Sequence, residues 1–183
     1  MRALNQVIAD VLMIDANKLI KESMKMKIKS LLLLVLSLPT AVSAYASSQP
    51  SIAIGNNSAA PMQRIQVPVI LTTQGAALAT VKMDIKYDAA LVSNPTVTIG
   101  PAGEGKTILT NSLSSGALRI SLYDLHNTRL SDGTIVTIAF TVSSAVSRGS
   151  TIDLILDAKT LGASDPSGND IALAATNGAV TVP

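Results

Sequence analysis

Between Thr80 and Leu91 the chain alternates with a period of two: Val81, Met83, Ile85 and Tyr87 are apolar, while Thr80, Lys82, Asp84 and Lys86 are polar. That period places the apolar set on one face of a strand and the charged set on the other. Asp88 then favours a turn, because a short carboxylate bonds nearby backbone in place of a continued ladder. Ser51 to Ile54 reads as a first strand, stopped by Gly55-Asn56-Asn57, and Ile65, Val67, Val69 and Leu71 alternate in a second. Pro68 lies on the opposite face of that second strand; lacking an N–H, it is expected on an edge or at a bulge. Leu91 to Ile99 reads as a strand interrupted at Pro95, Gly100 to Gly105 as a loop, and Lys106 to Leu113 as a weak strand. Leu118, Ile120 and Leu122 alternate with Arg119, Ser121 and Tyr123. After the Asp132-Gly133 turn, the nearly continuous apolar run from Thr134 to Val142 predicts a strand buried on both faces or central in a sheet. Ile152, Leu154 and Leu156 alternate again, Asp165 to Asp170 is a turn cluster, and Ile171 to Val182 supplies a last pair broken near Asn177-Gly178.

No segment after Ser47 carries an apolar stripe at helical spacing. About nine short strands at intervals of roughly 8 to 15 residues, with turn signals between them, predict one all-β sandwich over residues 47–183. The strands carry the fold class, and composition adds only two facts to it. The first concerns charge. The 14 Lys and Arg exceed the 12 Asp and Glu, but six of the bases and three of the acids fall in residues 1–46. Residues 47–183 therefore hold eight bases and nine acids with no basic run, which excludes nucleic acid as a partner of the β domain. The second is the lack of cysteine, which excludes disulfides, thiolate metal sites and a catalytic thiol.

Residues 24–46 have the form of an export signal. Lys25, Lys27 and Lys29 precede the apolar run Leu31 to Leu38, Pro39 breaks it, and the small residues Val42, Ala44 and Ala46 follow. The run is far shorter than the roughly 20 residues that span a bilayer, so no membrane association is expected after signal removal. Residues 1–23 read as an upstream extension or a misassigned start, with Met24 or Met26 the true one. The expected location is extracellular or periplasmic. Because the last strand reaches Pro183, the expectation is a single free module.

Gly100-Pro-Ala-Gly-Glu-Gly105-Lys106-Thr107 matches the phosphate-loop pattern literally. That chemistry needs a strand before the loop and a helix after it, and Ile108 to Gly116 is too short and too rich in Ser and Thr for the helix. It reads as a plain loop. His126 is the single histidine and stands in a polar loop without a serine elbow. Asp165, Ser167, Asn169 and Asp170 offer oxygen ligands at alternating spacing, a weak Ca²⁺ candidate, although a hairpin turn uses the same residue types. No other metal, cofactor or catalytic residue is expected, and the chain is read as not an enzyme.

Four pieces in order resemble the cohesin family, the β-sandwich modules that bind dockerins in cellulose-degrading assemblies. They are Ile65 to Leu71; Val81 to Asp88 with Ala89-Ala90-Leu91; Asp132 to Val142; and Ser164 to Asp170 with Thr176 to Val182. The resemblance covers residues 51–182. It implies a nine-stranded jelly roll and a secreted, non-catalytic module tied to polysaccharide degradation, with a dockerin-like or other secreted protein as partner. It also implies a partner-binding sheet face at Thr80, Lys82, Asp84, Lys86, Arg119, Ser121, Tyr123 and Asp124. Lys82 departs from the acidic or amide group of many cohesins, and the loop Leu125 to Ser131 is shorter than usual. A carbohydrate-binding module on the same fold is the alternative, with polysaccharide as its partner; it lacks the several exposed aromatics on which sugars stack. The plain reading of the same face is a solvated row of Lys and Asp that repels edge pairing.

Overall fold

The computed structural model describes Lys18 and residues 21–24, 49–114 and 116–183. The chain divides into two units, residues 1–46 and 47–183. In the first, Lys18 and residues 21–24 are helical; the apolar run Leu31 to Leu38 and the small residues around Ala44 lie outside the described residues. No helix among the described residues is long and apolar enough to cross a membrane.

The described residues of the second unit form a two-sheet sandwich of twelve strands: β1 Ser51–Ile54, β2 Asn57–Ser58, β3 Arg64–Thr72, β4 Thr80–Lys86, β5 Val92–Ile99, β6 Thr107–Ser114, β7 Ala117–Tyr123, β8 Gly133–Val142, β9 Thr151–Leu156, β10 Gly162–Ser164, β11 Ala174–Thr176 and β12 Gly178–Thr181. One sheet runs β11-β1-β3-β8-β5 and the other β2-β12-β9-β4-β7-β6, with β10 along β4. Consecutive strands stay in one sheet only at β6–β7 and β9–β10, and the chain crosses to the other sheet at every other connection, the jelly-roll connectivity expected. The alternation does what it predicts. Val67, Val69, Leu71, Val81, Met83, Ile85, Ile120, Leu122, Ile152 and Leu154 are all buried between the sheets. Phe140 sits among them with its ring 5.2 Å from that of Tyr87, edge to face. The described residues of this core lie between Ile52 and Val182, within the unit 47–183.

Three expectations are corrected. Beyond the elements seen by periodicity there are two short strands, β2 and β10, too brief to show a pattern. Pro68 is not on an edge strand, since β3 lies between β1 and β8. Its tolerance is local. The N–H and C=O of one strand residue point the same way, and the Pro68 carbonyl accepts from Gly55 N at 2.8 Å, just past the end of β1. The missing N–H therefore forgoes one bond at the end of that ladder and none to β8. A register shift between Val69 and Ile70 follows immediately.

The last pair is the third correction, because it is not a hairpin. β11 runs parallel to β1 in one sheet, while β12 runs antiparallel to β9 in the other. Asn177-Gly178 is a crossing between sheets, and Gly178 is pressed against β1 there. A Cβ at Gly178 would lie 2.7 Å from the carbonyl oxygens of both Ile54 and Gly55. Gly178→Ala is accordingly expected to destabilise the unit by about 1–3 kcal/mol through overpacking against backbone that cannot rotate away, read as a lower urea midpoint at unchanged slope.

The run Thr134 to Val142 takes the second of its two expected forms. β8 is central, between β3 and β5, and its outward positions are filled by Thr137, Ala139 and Thr141. β5 is interrupted where expected, with a register shift between Ser93 and Thr96 that spans Pro95.

Candidate functional site

The outer face of the second sheet is built by register. Pairing β4 with β7 and β7 with β6 aligns Lys82, Ser121 and Leu109 in one row and Asp84, Arg119 and Asn111 in the next. Thr80 and Tyr123 stand one step further along, beside Thr107 of β6 and Ser164 of β10. This end holds a shallow depression of about 260 Å³ whose walls include Thr80, Lys82, Tyr123, Ser164 and Asp170. Thr80 and Ser164 share a hydrogen bond at 2.6 Å between their hydroxyls. Tyr123 is 40% exposed and Leu109 58% exposed.

Of the eight residues expected on a partner face, six lie on it and open outward to differing degrees; two do not serve as free groups. Asp84 has outward parity but is only 4% exposed: Asp157 N extends the β4–β9 ladder by donating to the Asp84 carbonyl at 2.9 Å, and Thr160 in the turn that follows bonds the Asp84 carboxylate. Arg119 closes the carboxylate from the other side, Nε to Oδ1 and a terminal nitrogen to Oδ2, both at 2.7 Å. Those two charge-assisted bonds hold the Asp84 carboxyl below its ordinary value, against the opposing effect of burial. Asp84 and Arg119 thus neutralise each other. Asp124 is the second correction. It leaves the face at the end of β7 and turns to Lys106, whose Nζ is 3.3 Å from Oδ1. The Thr128 hydroxyl, and after it Lys106, hold the Asp124 carboxyl low.

Lys86 pairs with Asp157 at 2.7 Å and keeps its side chain more than half exposed. Lys82 makes no ion pair among the described residues and is exposed. The face therefore offers one free cation among Ser121, Tyr123 and Leu109, with every other charge of the eight matched inside the protein.

The phosphate-loop pattern is explained by packing. A 3₁₀ turn, Pro101–Gly103, and then strand β6 follow Gly100, so there is no helix for a phosphate. A Cβ at Gly100 would meet the Thr134 carbonyl oxygen at 2.3 Å, and one at Gly103 the Ile135 oxygen at 2.5 Å. These glycines lie flush on β8. Lys106 is buried, donating to the Thr128 carbonyl as well as pairing with Asp124, and cannot reach a ligand.

In the Asp165 to Asp170 turn, Asp165 Oδ1 accepts from the backbone N–H groups of Ser167 and Asn169, and Oδ2 from the Asn169 side chain. Asn169's amide first, then those N–H groups, hold the Asp165 carboxyl low. Both oxygens serve the turn, which a cation would have to dismantle. Ser167, Asn169 and Asp170 are exposed, and Asp170 lies along the depression instead. His126 is exposed in the β7–β8 loop.

Sequence reasoning missed Leu109, Asn111 and Ser164, and it read Asp170 as a calcium candidate and not as a wall of the depression. Ile108 and Leu109 are adjacent apolar residues, so alternation alone leaves the parity of β6 open, and only pairing with β7 places Leu109 outward.

A family model, the cohesin domain, matches residues 50–182. Among solved structures, the chain is similar to the sixth cohesin of scaffoldin B from Acetivibrio cellulolyticus, in complex with the Cel5 dockerin: TM-score 0.68, 21% identity, covering 74% of this chain and 100% of that one. It is similar to CaCohA2 from Clostridium acetobutylicum, TM-score 0.64 and 26% identity over 73% of this chain and 90% of that one. A non-cellulosomal cohesin from the archaeon Archaeoglobus fulgidus gives TM-score 0.62 and 20% identity over 74% and 92%. No curated protein matches.

Proposed function

The chain belongs to the cohesin domain family, and from that premise we propose that it is a non-catalytic protein-binding module whose partner is a dockerin-type domain docked on the outer face of β10, β4, β7 and β6. The carrying observation is the free Lys82 in a row with Ser121 and the exposed Leu109, one step from Tyr123. An apolar anchor beside one unmatched charge is the composition of an interface centre, where aromatic and aliphatic contact supplies affinity and charge sets the partner's identity. A partner helix that fits presents apolar side chains to Leu109 and Tyr123 and a carboxylate to Lys82. The signal pattern of residues 24–46 supports an exported module acting outside the cytoplasm, in the company of polysaccharide-degrading enzymes. Polysaccharide is the less favoured partner, since Tyr123 is the single outward aromatic among the described residues of this face and Tyr87 is engaged with Phe140.

Calorimetric titration of residues 47–183 with dockerin domains of the same source organism tests this. The Lys82→Asp/Tyr123→Ala double variant, both changes being at exposed positions, is expected to weaken binding by at least about 100-fold with the thermal midpoint unchanged. If no dockerin binds the unaltered protein at about 100 μM while insoluble polysaccharide depletes it from solution, the sugar-binding reading takes its place.

A further inference from the structure

The two sheets end in unlike edges. In the first, β11 has three residues, and β5 is broken by Pro95, by a register shift and by Asn94 at φ 51°. In the second, β2 has two residues. All of these are ways in which proteins blunt an edge against pairing with another chain. β6, at the other end of the second sheet, is different. It runs for eight residues, Thr-Ile-Leu-Thr-Asn-Ser-Leu-Ser, with no charge, no proline and no glycine, and among the described residues it pairs only with β7. The Lys and Asp residues expected to repel edge pairing are on β4, in the interior of the sheet.

β6 also overhangs the sandwich. Thr110 and Ser112 stand opposite the buried Ile120 and Leu118, on the side that faces the other sheet, yet both are exposed. Ile108 still packs against the core, and from Leu109 onward the strand is exposed on both faces. Its one irregularity, a register shift between Ser112 and Ser114, is confined to the C-terminal end and leaves Thr107 to Ser112 in regular register.

We propose that β6 pairs antiparallel with β6 of a second copy of this chain, joining two six-strand paths into one continuous sheet. The strand is self-complementary: with no charged residue, antiparallel pairing opposes no like charges in any register. A two-fold axis perpendicular to the sheet through Thr110 sets Thr110 against itself, a cross-strand pair of the hydrogen-bonding kind, and Leu109 against Asn111 of the other copy. The same axis keeps both outer faces on one side, so the dimer presents two partner faces together. Because the remaining edges are blunted, the pairing closes as a dimer and does not propagate into a filament. One strand pair buries less than the roughly 1,200 Å² of a stable interface, so the dimer is concentration-dependent.

Sedimentation velocity on residues 47–183, the compact unit that contains the whole family match, is expected to show monomer at about 1 μM and a growing dimer fraction toward about 1 mM. Thr110→Lys places like charges at the axis and is expected to weaken dimerisation at least about tenfold while leaving the circular dichroism spectrum unchanged. The chain has no cysteine, so a single Thr110→Cys variant is expected to form a disulfide-linked dimer under mild oxidation, whereas Ser93→Cys, on the blunted β5 edge, is not. Monomer throughout, a dimer indifferent to Thr110→Lys, or equal cross-linking at both cysteines would overturn the proposal. None of these readouts uses a dockerin, so they stand or fall apart from the proposed function.

Discussion

Alanine at Phe140 is expected to lower the unfolding free energy of the β unit by about 3–5 kcal/mol, measured by urea denaturation. Phe140 is fully buried, is the only phenylalanine in the chain, and belongs to an interior strand of its sheet. Its removal deletes the largest buried side chain and leaves a void that two packed sheets close only in part. It also strips Tyr87 of its edge-to-face neighbour, an interaction worth about 1 kcal/mol beyond area burial. A conservative Phe140→Leu change keeps most of the volume and should recover more than half the loss. A cost below about 1 kcal/mol for the alanine variant would mean that the two sheets do not share this core.

The second large effect concerns Asp84 and Arg119. Arg119→Leu alone leaves a covered carboxylate without its two strongest donors, whereas Asp84→Leu/Arg119→Leu removes both charges. The single variant is therefore expected to melt several degrees below the double variant, because an orphaned buried charge costs more than the absence of the pair. Acid exposes the same physics. The Asp84 carboxyl is held below its ordinary value in the folded protein, chiefly by Arg119, so the unfolded chain binds the proton more readily. Its contribution is fully present above about pH 4, the range where the unfolded carboxyl is ionised, and is lost as pH falls through the lower folded value. Asp124, Asp132, Asp157 and Asp165 are shifted in the same direction, each by a hydrogen-bond or ion-pair donor of its own. Thermal melts between pH 7 and pH 2 should show a fall confined to the acid end, shallower in the double variant and smallest in relative terms for Arg119→Leu, whose orphaned carboxylate gains from protonation. A single variant that melts above the double one would show that Asp84 is not covered in solution.

Much of the fold was legible because strand burial is a local, period-two property. Each of β3, β4, β7 and β9 carries its own alternation, and each buries the apolar set that the alternation named. Outward parity was likewise readable, and it correctly placed Lys82, Ser121 and Tyr123. Parity does not say whether an outward position is free. Asp84 obeys it and is still covered, because its carboxylate is bonded by Arg119 of the neighbouring strand and by Thr160, which is distant in sequence. Asp124 failed at the point where β7 ends, since a strand's register stops predicting direction once the chain turns.

From the sequence alone came the all-β class, the composition of the core, the absence of thiol chemistry and the separation of a basic stretch, residues 1–46, from a near-neutral remainder. These follow from residue type and short-range period, which need no partner to express themselves. Tertiary structure decided which charges cancel, that the final pair splits between two sheets at Gly178, that the glycines of the phosphate-loop pattern are packing contacts, and that β6 is the open edge. Each of these depends on what lies across a hydrogen-bonded ladder or a sheet interface, and pairing between strands distant in sequence is set by the whole core at once.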